Sequence, residues 1–255
     1  MKKKLWLLLI LCCQGMISIA QRATYIGING NILPIEHLII QDSLSAGRIE
    51  HTAAFSLPLQ DHASLQYILT ALQRSSATVS IFYTGANSVT TERQYRSPAT
   101  VQFQLSRLDA TGRSNLKAEI RIRSSAVEEQ INTTFIYKNP GNRPILASNF
   151  ALVIEKMPTT YVQSITGLEL KNNGLLSFEV SVREIESWKQ WFANAKKLNG
   201  SIFLLAPNMR DKLKEIKLVD LELICITQSI LTNDDRTERF KAVVKVGAVS
   251  FFDVK

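Results

Sequence analysis

The chain has 255 residues, 45% of them hydrophobic, and a formal net charge of +8. That composition excludes general disorder, and the length accommodates two domains of about 100 residues. No run of lysine or arginine is interleaved with aromatics, which argues against nucleic acid as a partner.

Residues 1–20 read as a secretory signal. Lys2-Lys3-Lys4 is a basic start, Leu5–Cys13 a short apolar stretch, and Ser18-Ile19-Ala20 puts small residues where a signal peptidase cuts, near Ala20–Gln21. The apolar stretch is too short to span a bilayer unaided. Bulky Leu11 before Cys12 disfavours a lipid anchor, and no later stretch is apolar enough to cross a membrane. The expectation is an exported protein, periplasmic or secreted, with no membrane segment after cleavage. Losing three lysines lowers the formal charge from +8 to about +5, and Cys225 is the one cysteine left. It lies in the apolar run Leu221–Ile226, where a buried, inert thiol is expected.

From Tyr25 the chain reads as short strands. Tyr25–Ile32 is a hairpin around Asn29-Gly30, the dipeptide that type I′ turns favour. Leu38–Ile40 extends the sheet, Ser43–Arg48 is a polar loop, and Ile49–Leu59 returns as a strand. Asp61–Arg74 has apolar residues at helical spacing. Thr78–Tyr83 is a strand and Gly85–Ser97 a polar connection. Val101–Leu105 and Leu116–Ile122 alternate apolar and polar residues, so each has one wet face. Asp109–Asn115 is a loop, Ser124–Gln130 is polar, and Asn132–Tyr137 reads as a strand. Lys138–Pro144, with two prolines and a glycine, marks a linker.

The plan then repeats. Ala151–Glu155, Tyr161–Ile165 and Leu175–Val182 are strands. A helix follows with Trp188, Trp191, Phe192 and Ala195 on one stripe, and Ser187 and Gln190 at the spacing of a capping box. Ser201–Leu205, Ile216–Cys225 and Phe240–Val249 are strands, and Asn233–Thr237 is a loop matching Asp109–Asn115. Phe178 lies 123 residues after Phe55, and Ser201-Ile202-Phe203 lies 121 after Ser80-Ile81-Phe82. Each copy is mainly β with one helix, and a small barrel with the helix at one end hides the sheet edges. The expected organisation is a signal peptide over 1–20, a first β-barrel domain over 21–137, a linker over 138–148 and a second domain over 149–255.

The second copy resembles the tube protein of bacterial type VI secretion systems, the haemolysin-coregulated protein family (Hcp), and more closely its Bacteroidota branch. The resemblance rests on Gly200-Ser201-Ile202-Phe203, the charged turn from Met209 through Lys214-Glu215-Ile216-Lys217-Leu218, then Asp220, Cys225 and the closing stretch Glu238–Val249. The first copy adds Ile26-Gly27-Ile28-Asn29-Gly30, His37-Leu38, Phe55–Leu59 and Val79–Tyr83. The resemblance implies a tail-tube fold twice over and a non-enzymatic structural or assembly role, with self-association through barrel edges into a ring or tube. Three chains would supply six barrels for a pseudo-hexamer. Protein cargo or a secretion apparatus would be the other partners. An exported monomeric binding module that keeps the tube fold, using loops such as Ser43–Arg48 and Gly85–Ser97, is the alternative.

No catalytic, cofactor-binding or metal-binding residue is expected. His37, His51 and His62 lack metal-ligand spacing, no Gly-x-Ser-x-Gly elbow occurs, and Asp234-Asp235 lacks the rest of a calcium loop. Glu184 and Glu186 read as charges at a helix start, and Trp188 and Trp191 as core rather than a sugar platform. Asn132-Thr133-Thr134 and Asn199-Gly200-Ser201 are sequons, discounted because the resemblance is bacterial. Gly30, Gly112, Gly174 and Gly200 fit turns, and no glycine-rich phosphate loop occurs.

Overall fold

The computed structural model describes residues 24–28, 31–45, 48–60, 78–84, 89–98, 100–137, 141, 143–169, 173–228 and 238–254. The expected signal peptide, the helix over Asp61–Arg74, the turn residues Asn29-Gly30 and the loop Asn233–Thr237 lie outside the described residues.

In chain order the strands are β1 (Thr24–Ile28), β2 (Asn31–Pro34), β3 (Glu36–Ser45), β4 (Arg48–Pro58), β5 (Thr78–Thr84), β6 (Thr90–Arg96), β7 (Thr100–Leu105), β8 (Leu108–Asp109), β9 (Lys117–Ser124) and β10 (Ala126–Ile131). After them come β11 (Phe150–Ile154), β12 (Val162–Thr166), β13 (Gly174–Ser181), helix α1 (Ile185–Asn194), β14 (Leu198–Leu205), β15 (Lys212–Gln228), β16 (Arg239–Val246) and β17 (Ala248–Asp253). The described protein is mainly β, with a nearly closed barrel sheet and one α-helix.

Strand pairing follows one plan in both halves, and every described ladder is antiparallel. In the first half β1-β5-β6-β10 form one run and β3-β4-β9-β7 another, with β2 added beyond β1. In the second half the runs are β11-β14-β15-β17 and β12-β13-β16-β15. The single 17-residue strand β15 does the work of β6 and β7. In the first half Ser97-Pro98 interrupts that path, because proline cannot donate to a ladder. In the second the chain turns the same corner at Asp220, whose φ is 54°, beside Gly247. A Cβ on Gly247 would lie 2.8 Å from that of Asp220, so the corner needs glycine there.

Alternation produces the strands where it was legible. Ala118, Ile120 and Ile122 of β9 are buried while Glu119 and Arg121 face out. In α1, Ile185, Trp188 and Trp191 are buried, and Trp188 lies 5.9 Å from the Phe178 ring and 5.8 Å from the Phe240 ring. Trp188 and Trp191 are thus core, as expected.

Several expectations are corrected. Phe192 is half exposed, and Ala195 is the left-handed C-cap rather than part of the stripe. Ser187 does not cap the helix. The turn begins earlier, with Ser181 accepting from the Arg183 N–H and buried Glu184 accepting from that of Tyr161. Of the expected loop Ser43–Arg48, the described residues Ser43–Ser45 and Arg48 belong to β3 and β4, with Ser45 opposite Arg48. The stretch Gly85–Ser97 contains the central strand β6, and Ser124–Gln130 contains the edge strand β10. Asn132–Tyr137 is irregular; Phe135 stacks 4.3 Å from Phe82 and Tyr137 lies 4.4 Å from Tyr25. Gly200 lies inside β14, where a Cβ would come 2.8 Å from the Val153 carbonyl oxygen. Cys225 is exposed, because a bulge between Leu223 and Cys225 breaks the inward phase of β15.

The two halves share one apolar core, running from Ile26 to Phe251. β8 pairs with β12, setting Leu108 opposite Ile165 and Asp109 opposite Ser164. Within the stretch expected as a linker, the Ile145 N–H reaches the Leu59 oxygen at 2.9 Å and its oxygen takes the Leu116 N–H at 2.7 Å. Ile145 and Ala147 are buried there.

Candidate functional site

The β3–β4 hairpin extends past the body as an arm. Side chains alternate between its faces, and Ile49, His51 and Ala53 share one face with their opposites Leu44, Asp42 and Ile40. Ala53 is fully buried, so this is the core-facing side. At the tip that side is bare: Leu44 is 75% exposed and Ile49, directly opposite, 57%.

A charged cluster ties the root of the arm to the other sheet. Arg93 of β6 donates from Nη2 to Asp42 Oδ1 at 2.5 Å, and the same nitrogen lies 3.2 Å from His51 Nδ1. His51 Nδ1 lies 2.8 Å from Asp42 Oδ1. Arg93 Nη1 stands 3.6 Å from Glu129 of β10, which also accepts from the Tyr83 hydroxyl. The Arg93 guanidinium lies 5.8 Å from the centre of the Tyr95 ring.

The ionisation states follow from these contacts. Burial pushes the Asp42 carboxyl up, but hydrogen bonds and charge from Arg93 and His51 outweigh it and hold it below the ordinary value. Burial also disfavours the Arg93 charge, and Asp42 more than compensates. Burial pushes the Tyr95 hydroxyl up to about 12, and burial with Glu129 raises that of Tyr83. Both phenols are therefore neutral near pH 7, and that of Tyr83 donates to Glu129. What the cluster does is fasten two sheets together.

A second polar feature occurs twice. Ser80 Oγ donates to Glu92 Oε1 at 2.9 Å, and Ser201 Oγ to Glu215 Oε1 at 2.8 Å. Glu92 lies opposite Phe82, and Glu215 opposite Phe203. Glu92 also accepts from Gln94, Gln130 and Asn132. Those neutral donors overcome its burial and keep its carboxyl below the ordinary value.

The remaining candidates are scattered. His37 is exposed with a φ of 51°, 4.0 Å from Glu36. His62 and Asp234-Asp235 lie outside the described residues. Among the described residues no group of three His, Cys, Asp or Glu could hold a metal ion. Glu184 is buried, whereas exposed Glu186 pairs with Lys189 at 3.0 Å. Asn132 is engaged with Glu92, and Asn199 accepts from the Asp220 N–H. A cleft of about 300 Å³ at the β15 corner is walled by Lys197, Asp220, Glu222 and Lys245.

Of the charged cluster the sequence drew attention only to His51, and as a metal-ligand candidate set aside, because the members sit on five strands. A signal was present: shifting the sequence by 123 sets Arg93 against Ile216 and Tyr95 against Leu218. A charge in a core register is the mark of a buried ion pair.

No family model matches the chain, and no curated protein matches it. Among solved structures, the chain is similar to one from the cryo-EM structure of an extracellular contractile injection system, a PVC sheath-tube complex in the extended state. That likeness has 12% sequence identity and a TM-score of 0.36, and covers 41% of this chain and 88% of that one.

Proposed function

We propose that the mature chain, residues 21–255, is a non-enzymatic structural protein that assembles with copies of itself into a ring or tube. In this reading it consists of two tail-tube-like units in tandem, 21–137 and 149–255, and its leader exports it to the periplasm or beyond. The observation that carries the assembly is the arm tip. Leu44 and Ile49 form a cross-strand apolar pair on the side of the sheet that elsewhere is core, and both are more than half exposed. A pair of apolar side chains that continues a core face into solvent is what a self-association surface would use.

The test is the mass of the purified mature chain by light scattering. A trimer is expected, giving six units per particle. Leu44→Asp with Ile49→Asp should yield monomers that remain folded by circular dichroism. A wild-type chain that stays monomeric at high concentration would overturn self-assembly and move the arm to the other reading, an exported binding module.

A further inference from the structure

Within the chain, the first half passes a sheet edge to the second. The run β3-β4-β9-β7 ends on β7, but that edge is not bare. The Leu105 N–H donates to the Leu168 oxygen at 2.8 Å, Gln104 bridges antiparallel to Glu169, and β8 continues onto β12. This bridge and the β8–β12 ladder thus link the four-stranded sheet β3-β4-β9-β7, edge to edge, with the run β12-β13-β16 and the last part of β15 into one linked sheet.

Two edges of this sheet pair with no further strand among the described residues: β3 at one end and Cys225–Gln228 of β15 at the other. They are counterparts of the strands already joined. Phe55 and Phe103 both face Ile120 in the first half; Phe178 and Ile226 both face Ala242 in the second. So the end of β15 stands for β7, and β3 stands for β12. One free edge is thus a second copy of the edge that gives, and the other a copy of the edge that receives.

We infer that the free end of β15 pairs antiparallel with β3 of the next copy of this chain, repeating between chains the junction that β7 makes within one. The inference rests on the self-assembly reading and names its interface. An uncovered edge presents a row of unused N–H and C=O groups. A head-to-tail contact of this kind closes into a ring when the rotation permits, and otherwise grows a filament. By the correspondence of Gln104 with Thr227, the antiparallel register sets Thr227 near Asp42 of the next copy and Cys225 near the arm tip, around Ser43 and Leu44. That junction would cover the exposed Leu44.

Cys225 is the sole thiol of the mature chain and is exposed, so it reports on the junction directly. The experiment uses residues 21–255 carrying Gln41→Cys, Ser43→Cys or Leu44→Cys, oxidised mildly and run without reductant, with mass measured in parallel. The expected result is a ladder of dimers and trimers for at least one β3 cysteine. The ladder should be lost on reduction and in Cys225→Ser, and absent for a control cysteine at Glu128 on the β10 edge. If the particle stays oligomeric but no β3 cysteine crosslinks above the control, this junction is wrong and self-assembly stands. If the chain is monomeric, both fall.

Discussion

Arg93 holds in the first half the place that Ile216 holds in the second. Each is the cross-strand partner of a buried isoleucine, Ile81 for Arg93 and Ile202 for Ile216. One position of the shared plan is thus apolar core in one half and the centre of an ion cluster in the other. The difference tracks the arm: Arg93 reaches Asp42 on β3, whereas the counterpart strand β12 is short and makes no such arm. The first half gives up apolar packing at this point and gains a charged fastening for a projecting hairpin.

Removing Arg93 alone should therefore be costly. Arg93→Ile leaves Asp42 and Glu129 facing each other without their cation. Both carboxylates are about half exposed (47% each), so water moderates the loss. A cost of about 1–3 kcal/mol is expected in urea melts, below the range for a fully buried pair. Adding Asp42→Asn should recover part of it. No loss in the single variant would show that the cluster does not hold the arm.

Glu92 should contribute to acid sensitivity. Its folded pKa is depressed, so its contribution is present above its unfolded value of about 4.3 and is lost as pH falls through the lower folded value. Asp42 acts in the same direction. Glu92→Gln turns one of its two acceptor oxygens into a donor facing other donors. That variant should be less stable at pH 7 and should lose less further stability than wild type between pH 5 and 3. An unchanged acid slope would show that the Glu92 contacts are not made in solution.

What the sequence disclosed depended on whether local pattern and burial agreed. β9 and α1 were legible because their apolar residues recur at the period of a strand and of a helix, and both bury that face. β6 was not. Thr-Thr-Glu-Arg-Gln-Tyr-Arg reads as a polar connection, yet Glu92, Arg93 and Tyr95 are buried, because other strands supply the partners of Glu92 and Arg93. Burial of Ile145 and Ala147 beside Pro144 was hidden the same way, by backbone bonds to Leu59, Ser114 and Leu116. Cys225 misled because an apolar run does not show where a bulge falls.

Trp191 tests the helix packing. It is 4% exposed, lies 5.5 Å from Trp188, and donates from its indole to the Lys196 oxygen at 2.7 Å, closing the turn after the C-cap. Trp191→Ala removes both ring and hydrogen bond and should cost about 3–5 kcal/mol. Trp191→Phe keeps most of the ring and should cost less. A loss near zero in the alanine variant would mean that α1 does not pack against β13 and β16 as described.

Tyr95 makes the sharpest contrast with its surroundings. It is fully buried, its ring lies under Arg93, and among the described residues its hydroxyl makes no hydrogen bond of good geometry, the nearby Arg93 guanidinium acting on it chiefly as a charge. A buried hydroxyl without a partner costs about 1–3 kcal/mol relative to water. Tyr95→Phe removes the oxygen while keeping the ring, the apolar contacts and the face presented to the guanidinium. Stability should therefore rise, by about 0.5–1 kcal/mol once the loss of close packing around the oxygen is allowed for. The same change at Tyr83, whose hydroxyl donates to Glu129, should lower it. Opposite signs for two tyrosines on neighbouring strands would separate a satisfied phenol from an unsatisfied one. If Tyr95→Phe is destabilising instead, the hydroxyl is bonded in solution, and a water held by at least two polar partners inside the cluster becomes the explanation to test by high-resolution diffraction.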